Sequence, residues 1–158
     1  MGLDISAYKN LNLVQNPERD EAGDLVNWDR EWQPGASMEW SEKHFPGRGE
    51  GVDYNAVYTF EEEFSFRAGS YSGYGAWREQ LSEFANGNDF HELIVFADNE
   101  GVIGPVVSDK LAKDFDKNLN AAIKYSETFV GGEYWLSKYL DWKDAFEIAS
   151  ENGAVNFR

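Results

Sequence analysis

Between Glu133 and Glu151 four large rings, Trp135, Tyr139, Trp142 and Phe146, recur at intervals of four, three and four residues. That spacing lays them along one stripe of a helix. Leu136, Leu140 and Ala149 flank the stripe, and Asn152–Gly153 predicts its end. Large rings suit a core with a few big packed layers, and also rigid binding surfaces. A core built on this stripe needs further elements from the rest of the chain.

Strand periodicity supplies the first part. Leu3, Ile5 and Ala7 of GLDISAYKNLNLV share a face, and Leu11 and Leu13 follow after an interruption near Lys9–Asn10. Further on, Ala56, Tyr58 and Phe60 alternate, and Phe64 and Phe66 continue the rhythm across Glu61, Glu62 and Glu63. Those three carboxylates read as an acidic edge or a turn between two strands. His91–Ala97 is a short apolar run that reads as a buried strand, and AVNFR adds a terminal one.

Two further helices are expected. Trp77, Leu81 and Phe84 fall at i, i+4 and i+7 within 75–86, with Asn86–Gly87–Asn88 as the stop. Ser108 reads as the N-cap of a helix carrying Leu111, Phe115, Leu119 and Ala122–Ile123, interrupted at Gly131–Gly132. Residues 16–51 lack a regular pattern. Short helical turns are expected there, with Trp28, Trp32 and Trp40 pinning the segment to the body. The expected fold is one α+β domain over 1–158 with a small, mainly antiparallel sheet and about three main helices; 16–51 forms a long irregular excursion.

Charge narrows the function. Asp and Glu total 29 against 14 Lys and Arg, a formal charge of -15. Nonspecific phosphate binding depends on basic side chains, so direct nucleic-acid binding and attachment to an anionic membrane are not expected. Residues 51–100 carry ten acidic and two basic groups, which places the strongest negative field near the middle of the chain. Cysteine is absent, which removes disulfides, thiol nucleophiles and cysteine-based zinc sites. MGLDISAYKN lacks the pattern of a secretory signal, and no run approaches the roughly 20 apolar residues needed to span a bilayer. These features predict a cytoplasmic protein.

The closest approach to a ligand motif is GSYSGYG, Gly69–Gly75. Glycines can turn backbone N–H groups inward, and a helix that starts nearby favours a negative ligand. Ser70, Ser72, Tyr71, Tyr74 and Arg78 are the ligand-binding candidates here, with His91 as a nearby imidazole. The spacing is neither GxxxxGK[ST] nor GxGxxG, so it carries no nucleotide motif. His44 and His91 lie in no HExxH, DNEGVIG does not match an EF-hand loop, and no GxSxG or SxxK is present. No catalytic residue, metal or cofactor is assigned.

MGLDISAYK, GSYSGYG with AWREQL, and FHELIVFADNEGVIGPVVSDKLAKDF together resemble a group of small, acidic, uncharacterised bacterial and bacteriophage proteins. The resemblance touches most of the chain through separated segments. It implies a bacterial or phage intracellular setting and transfers no site residue, because the group has no established activity.

Two functions are consistent with these features. The first is a non-enzymatic interaction protein that meets a basic protein surface through Glu61, Glu62 and Glu63, as a phage-type inhibitor of a host protein would. The second is a small-molecule-binding protein or small hydrolase near GSYSGYG. In it Tyr71, Tyr74 and Arg78 would contact the ligand, and His91 with Asp4 or Glu100 would move a proton.

Overall fold

A computed structural model describes residues 2–158. Thirteen elements follow in chain order: β1 (Gly2–Lys9), β2 (Asn12–Leu13), β3 (Glu31–Trp32), α1 (Gly35–His44), β4 (Tyr58–Thr59), β5 (Glu62–Ser70), α2 (Tyr71–Phe84), α3 (His91–Ile94), β6 (Gly101–Ile103), α4 (Pro105–Lys117), α5 (Leu119–Ser126), α6 (Gly132–Ala149) and β7 (Ala154–Phe157). The domain is α+β and its strand pairings are antiparallel. A four-stranded sheet runs β5-β1-β7-β6, and a second, three-stranded sheet runs β2-β4-β3.

Alternation along β1 sorts the main sheet into two faces. Leu3, Ile5 and Ala7 point toward the helices, where they join Val155, Phe157 and Ile103 in one large core. The aromatic stripe of α6 closes that core: Trp135, Tyr139, Trp142 and Phe146 are all buried. Trp142 meets Phe66 of β5 edge-on at 5.2 Å and lies 5.9 Å from Trp77 of α2. On the other face Tyr8 and Ala154 start a smaller core with Leu11, Trp32, Met38 and Val102. That core is roofed by the segment that follows β1. The two strands that meet at the sheet's centre, β1 and β7, are the first and last elements, so the sheet depends on long-range pairing.

Backbone packing fixes one glycine without choice. A Cβ on Gly153 would lie 1.8 Å from the Tyr8 carbonyl oxygen, so the turn from α6 into β7 admits no side chain there.

The expectation of about three main helices is wrong: among the described residues there are six, of which only α3 is shorter than eight residues. The first extra helix is α1, inside the excursion. Only Met38 and Ser41 of its ten residues are buried, so it lacks the apolar stripe that reveals a helix in sequence. The second arises because the run from Ser108 divides at Asn118, whose side chain bonds the Asp114 carbonyl at 2.8 Å and separates α4 from α5. The helix itself begins earlier than Ser108. Gly104 and Pro105 open it, with proline at the first position where its missing N–H costs nothing, and Ser108 is buried within. The third is α3, which replaces the strand expected over His91–Ala97. Phe90, Leu93, Phe96 and Ala97 are buried at spacings of three, three and one, a turn of helix entered through a left-handed Phe90. Of the excursion's tryptophans, Trp32 is buried and Trp40 packs on the large core, whereas Trp28 is 77% exposed and pins nothing. Among the described residues, no helix is long and apolar enough to cross a membrane.

Candidate functional site

GSYSGYG is not a loop. Gly69, next to last in β5, has φ 138°, a conformation that favours glycine, and Ser70 caps α2 by accepting the Gly73 N–H at 3.0 Å. A Cβ on Gly73 would lie 2.9 Å from that capping oxygen, so the second glycine protects the cap. Ser72 Oγ is 3.3 Å from Ser70 Oγ, so both hydroxyls serve the same helix start. Gly75 has no such reason, since nothing lies within 4 Å of where its Cβ would be.

The remaining candidates separate. Tyr74 is buried, stacked at 6.1 Å on Trp77, and its hydroxyl has no hydrogen-bond partner. Burial pushes that phenol well above the ordinary tyrosine range. Arg78 lies over the Tyr74 ring at 5.1 Å and donates to the Phe96 carbonyl at 2.7 Å, which ties α2 to the segment before β6. His91 is exposed at the start of α3 and shares neither a hydrogen bond nor a cavity with these residues. Tyr71 alone faces a cleft.

That cleft, about 460 Å³, lies between the start of α1, the first residue of α2 and the end of β7. Trp32, Pro34 and Tyr71 are among its lining residues, and Asn156, Glu100 and Arg158 contribute polar groups. Register explains the last three. Gly101 pairs with Phe157, so Glu100 and Arg158 are the next opposed residues, on the sheet face that also bears Asp4 and Ser6. The Asp4 backbone exchanges two hydrogen bonds with Arg158, at 2.8 and 3.0 Å. The Asp4 carboxylate is held bidentately by Arg67 at 2.9 and 3.0 Å, which keeps it below the usual carboxylate range. Arg158 donates to Ser6 Oγ at 3.0 Å and forms no ion pair among the described residues. Trp32, Ser37, Asn156 and Arg158 come from distant segments with no shared motif, so no local sequence signal marks this cleft.

The acidic groups divide unevenly. Ion pairs concentrate on the helices and their connections, including Lys117–Asp89 at 2.8 Å, Lys110–Asp114 at 2.7 Å and Lys113–Asp109 at 2.7 Å. Between residues 10 and 66 no carboxylate forms an ion pair among the described residues. Several hold turns instead: Asp20 accepts the Ala22 and Asp24 N–H groups, and Asp53 accepts that of Asn55. Glu61 accepts from the Asn10 side chain. Glu62 and Glu63 are exposed on β5, an edge strand, and the pleat sends them to opposite faces. The three glutamates thus surround one end of an edge instead of forming a flat patch.

The outer side of β5 is open over much of its length. Asp4 directs its N–H and C=O to β7, so by alternation Ser6 does too, and its partner Ser65 turns its own backbone groups outward. Lys138 covers the Arg67 carbonyl at 2.8 Å. From Glu62 to Phe66 the backbone has no partner other than β1 among the described residues.

No protein-family model, curated protein or solved structure matches the chain.

Proposed function

We propose that this is a non-enzymatic interaction protein of the cytoplasm whose edge strand β5 receives a basic, extended segment of a partner protein. The observation that carries the reading is the open backbone of Glu62–Phe66 beside Glu61, Glu62 and Glu63, none of them ion-paired. An added strand satisfies the outward N–H and C=O groups, and side-chain charge selects which strand is accepted. Like charges disfavour a second copy of this acidic edge, whereas Lys or Arg on the incoming strand is attracted. The overall charge of -15 would speed encounter with such a partner. In the phage setting implied by the sequence resemblance, covering a host protein's basic segment would inhibit it.

The test uses a short alternating Lys–Val peptide and its Glu–Val counterpart, followed by amide chemical shifts. Saturable shifts over Glu62–Phe66 with the basic peptide alone are expected. They should disappear in a variant with lysine at positions 61, 62 and 63, and in Ser65→Pro, which removes an outward N–H without removing a bond to β1. Equal response in the charge-reversed variant would sink the charge mechanism; equal response in Ser65→Pro would sink strand addition.

A second reading, a small-molecule-binding protein or small hydrolase near Gly69–Gly75, is supported by the exposure of Tyr71 to the cleft. Its hydrolase form would require His91 to act from outside that cleft.

A further inference from the structure

We infer that the cleft between α1, α2 and β7 binds a small organic monoanion, a carboxylate carried on a flat apolar body. The proposal builds on the small-molecule reading and is independent of the β5 edge. Its first support is Arg158. Arg19, Arg48, Arg67 and Arg78 are each held at two points, by carbonyls, an amide, a carboxylate or a ring. Arg158, like the exposed Arg30, is held at one point: Ser6 Oγ takes one Nη2 hydrogen, which leaves Nε, Nη1 and the other Nη2 hydrogen without a protein acceptor among the described residues. Asp4 is already engaged by Arg67, and Glu100, though next in register, forms no ion pair with Arg158. A guanidinium in this position presents a fork that matches a carboxylate.

A second support comes from the start of α1, which also lines the cleft. Helix α1 has proline at its N-cap and no side-chain capping bond, and Ser37 in its first turn has a buried Oγ without a partner. The Gly35 N–H already donates to the Tyr54 carbonyl at 2.8 Å, so it is the Ser37 hydroxyl that lacks a partner, and an anion in the cleft would supply one. Tyr71, 37% exposed, offers flat apolar surface beside the edges of the largely buried Trp32 and Pro34, and a volume near 460 Å³ suits a small ligand. Glu100 on the lining opposes a second negative charge, so a monocarboxylate is preferred over a phosphate monoester.

Phenylacetate is the probe, with phenyl phosphate and benzyl alcohol beside it, titrated into the full chain while the Trp32 indole and Tyr71 ring resonances are followed. Saturable shifts with phenylacetate are expected, and Arg158→Gln should weaken them about tenfold by removing a charge-assisted hydrogen bond. Tyr71→Ala should also weaken binding, and Arg30→Gln, an exposed arginine outside the cleft, should not. No saturable shift at Trp32, or wild-type affinity in Arg158→Gln, would overturn the site. Equal binding of benzyl alcohol would overturn the role of charge, and tighter binding of phenyl phosphate would overturn the monoanion assignment. Because none of these readouts involves Glu62–Phe66, the β5 reading and this one can fail separately.

Discussion

The two faces of the four-stranded sheet are held by different means. On the helix face, Leu3, Ile5, Val155 and Phe157 meet the rings of α2, α4 and α6 in one continuous aromatic core, and the surface above it is laced with ion pairs. On the excursion face the core is small, centred on Tyr8, Trp32 and Met38; Asp4 at its margin pairs with Arg67, but among the described residues the carboxylates between 10 and 66 carry no cationic partner. One face has apolar burial and compensated charge together. The other has little of either, and it is bounded by both the cleft and the acidic end of β5. Binding surfaces are drawn from the less secured parts of a fold, because ordering there is incomplete until a partner arrives.

Substituting tryptophans breaks this comparison most directly. Trp142→Ala should cost about 4 kcal/mol, since it empties a fully buried site between Phe66, Trp77 and Phe146. Trp32→Ala should cost about 2 kcal/mol, below the usual range, because the smaller core around it can relax. Trp28→Ala should fall within about 0.5 kcal/mol of wild type. Urea denaturation reads all three; equal losses for Trp142 and Trp32 would mean the two cores are one cooperative unit of equal strength.

Gly75→Ala is the next largest effect, and its sign is favourable. The site is open and helical, so the alanine should raise stability by about 0.5–1 kcal/mol. A loss in thermal melts would show that the glycine has a packing duty not visible in the free chain.

Salt separates the faces by sign. Raising ionic strength screens repulsion among the unpaired carboxylates and weakens exposed ion pairs on the helices. Amide exchange should therefore slow by the equivalent of a few tenths of a kcal/mol in β2, β3 and β4 while it quickens in α4. The same direction on both faces would remove the charge contrast.

Acid gives the finest probe. Asp89 is held below the ordinary carboxylate range by Lys117 first, then by Asn118. The unfolded chain therefore binds this proton more readily than the folded one. Its contribution is present above the unfolded value, about pH 4, and is lost as pH falls through the folded value. Asp89→Asn should flatten the acid limb of the stability profile there, and an unchanged slope would remove this carboxylate from the helix-side network.

Sequence periodicity revealed the elements that face the large core. β1, α6 and β7 were legible because burial on one side imposes a strict rhythm on their residues. α1 was not, because a helix that buries only Met38 and Ser41 leaves almost no stripe. GSYSGYG misled in a related way: its glycines suggest a loop, but capping by Ser70 lets helix α2 begin within them. Of the ligand candidates placed there, Tyr71 reaches the cleft, Tyr74 is buried in the core, and Arg78 is bonded to Phe96. Arg158 and Ser37 could not be found from sequence, since only strand register and chain reversal bring them near Tyr71.

The indoles of Trp77, Trp135 and Trp142 also have an optical consequence. Trp77 lies 6.3 Å from Trp135 and 5.9 Å from Trp142, with interplanar angles of 29° and 24°. Rings this close share their electronic excitation, so the large core should give an intense coupled band in circular dichroism that weakens when Trp135 or Trp142 is replaced and is lost when Trp77, common to both pairs, is replaced. Trp28 stands apart in solvent and emits alone. The chain therefore carries two built-in reporters, one for its large core and one for the solvent-facing part of the excursion.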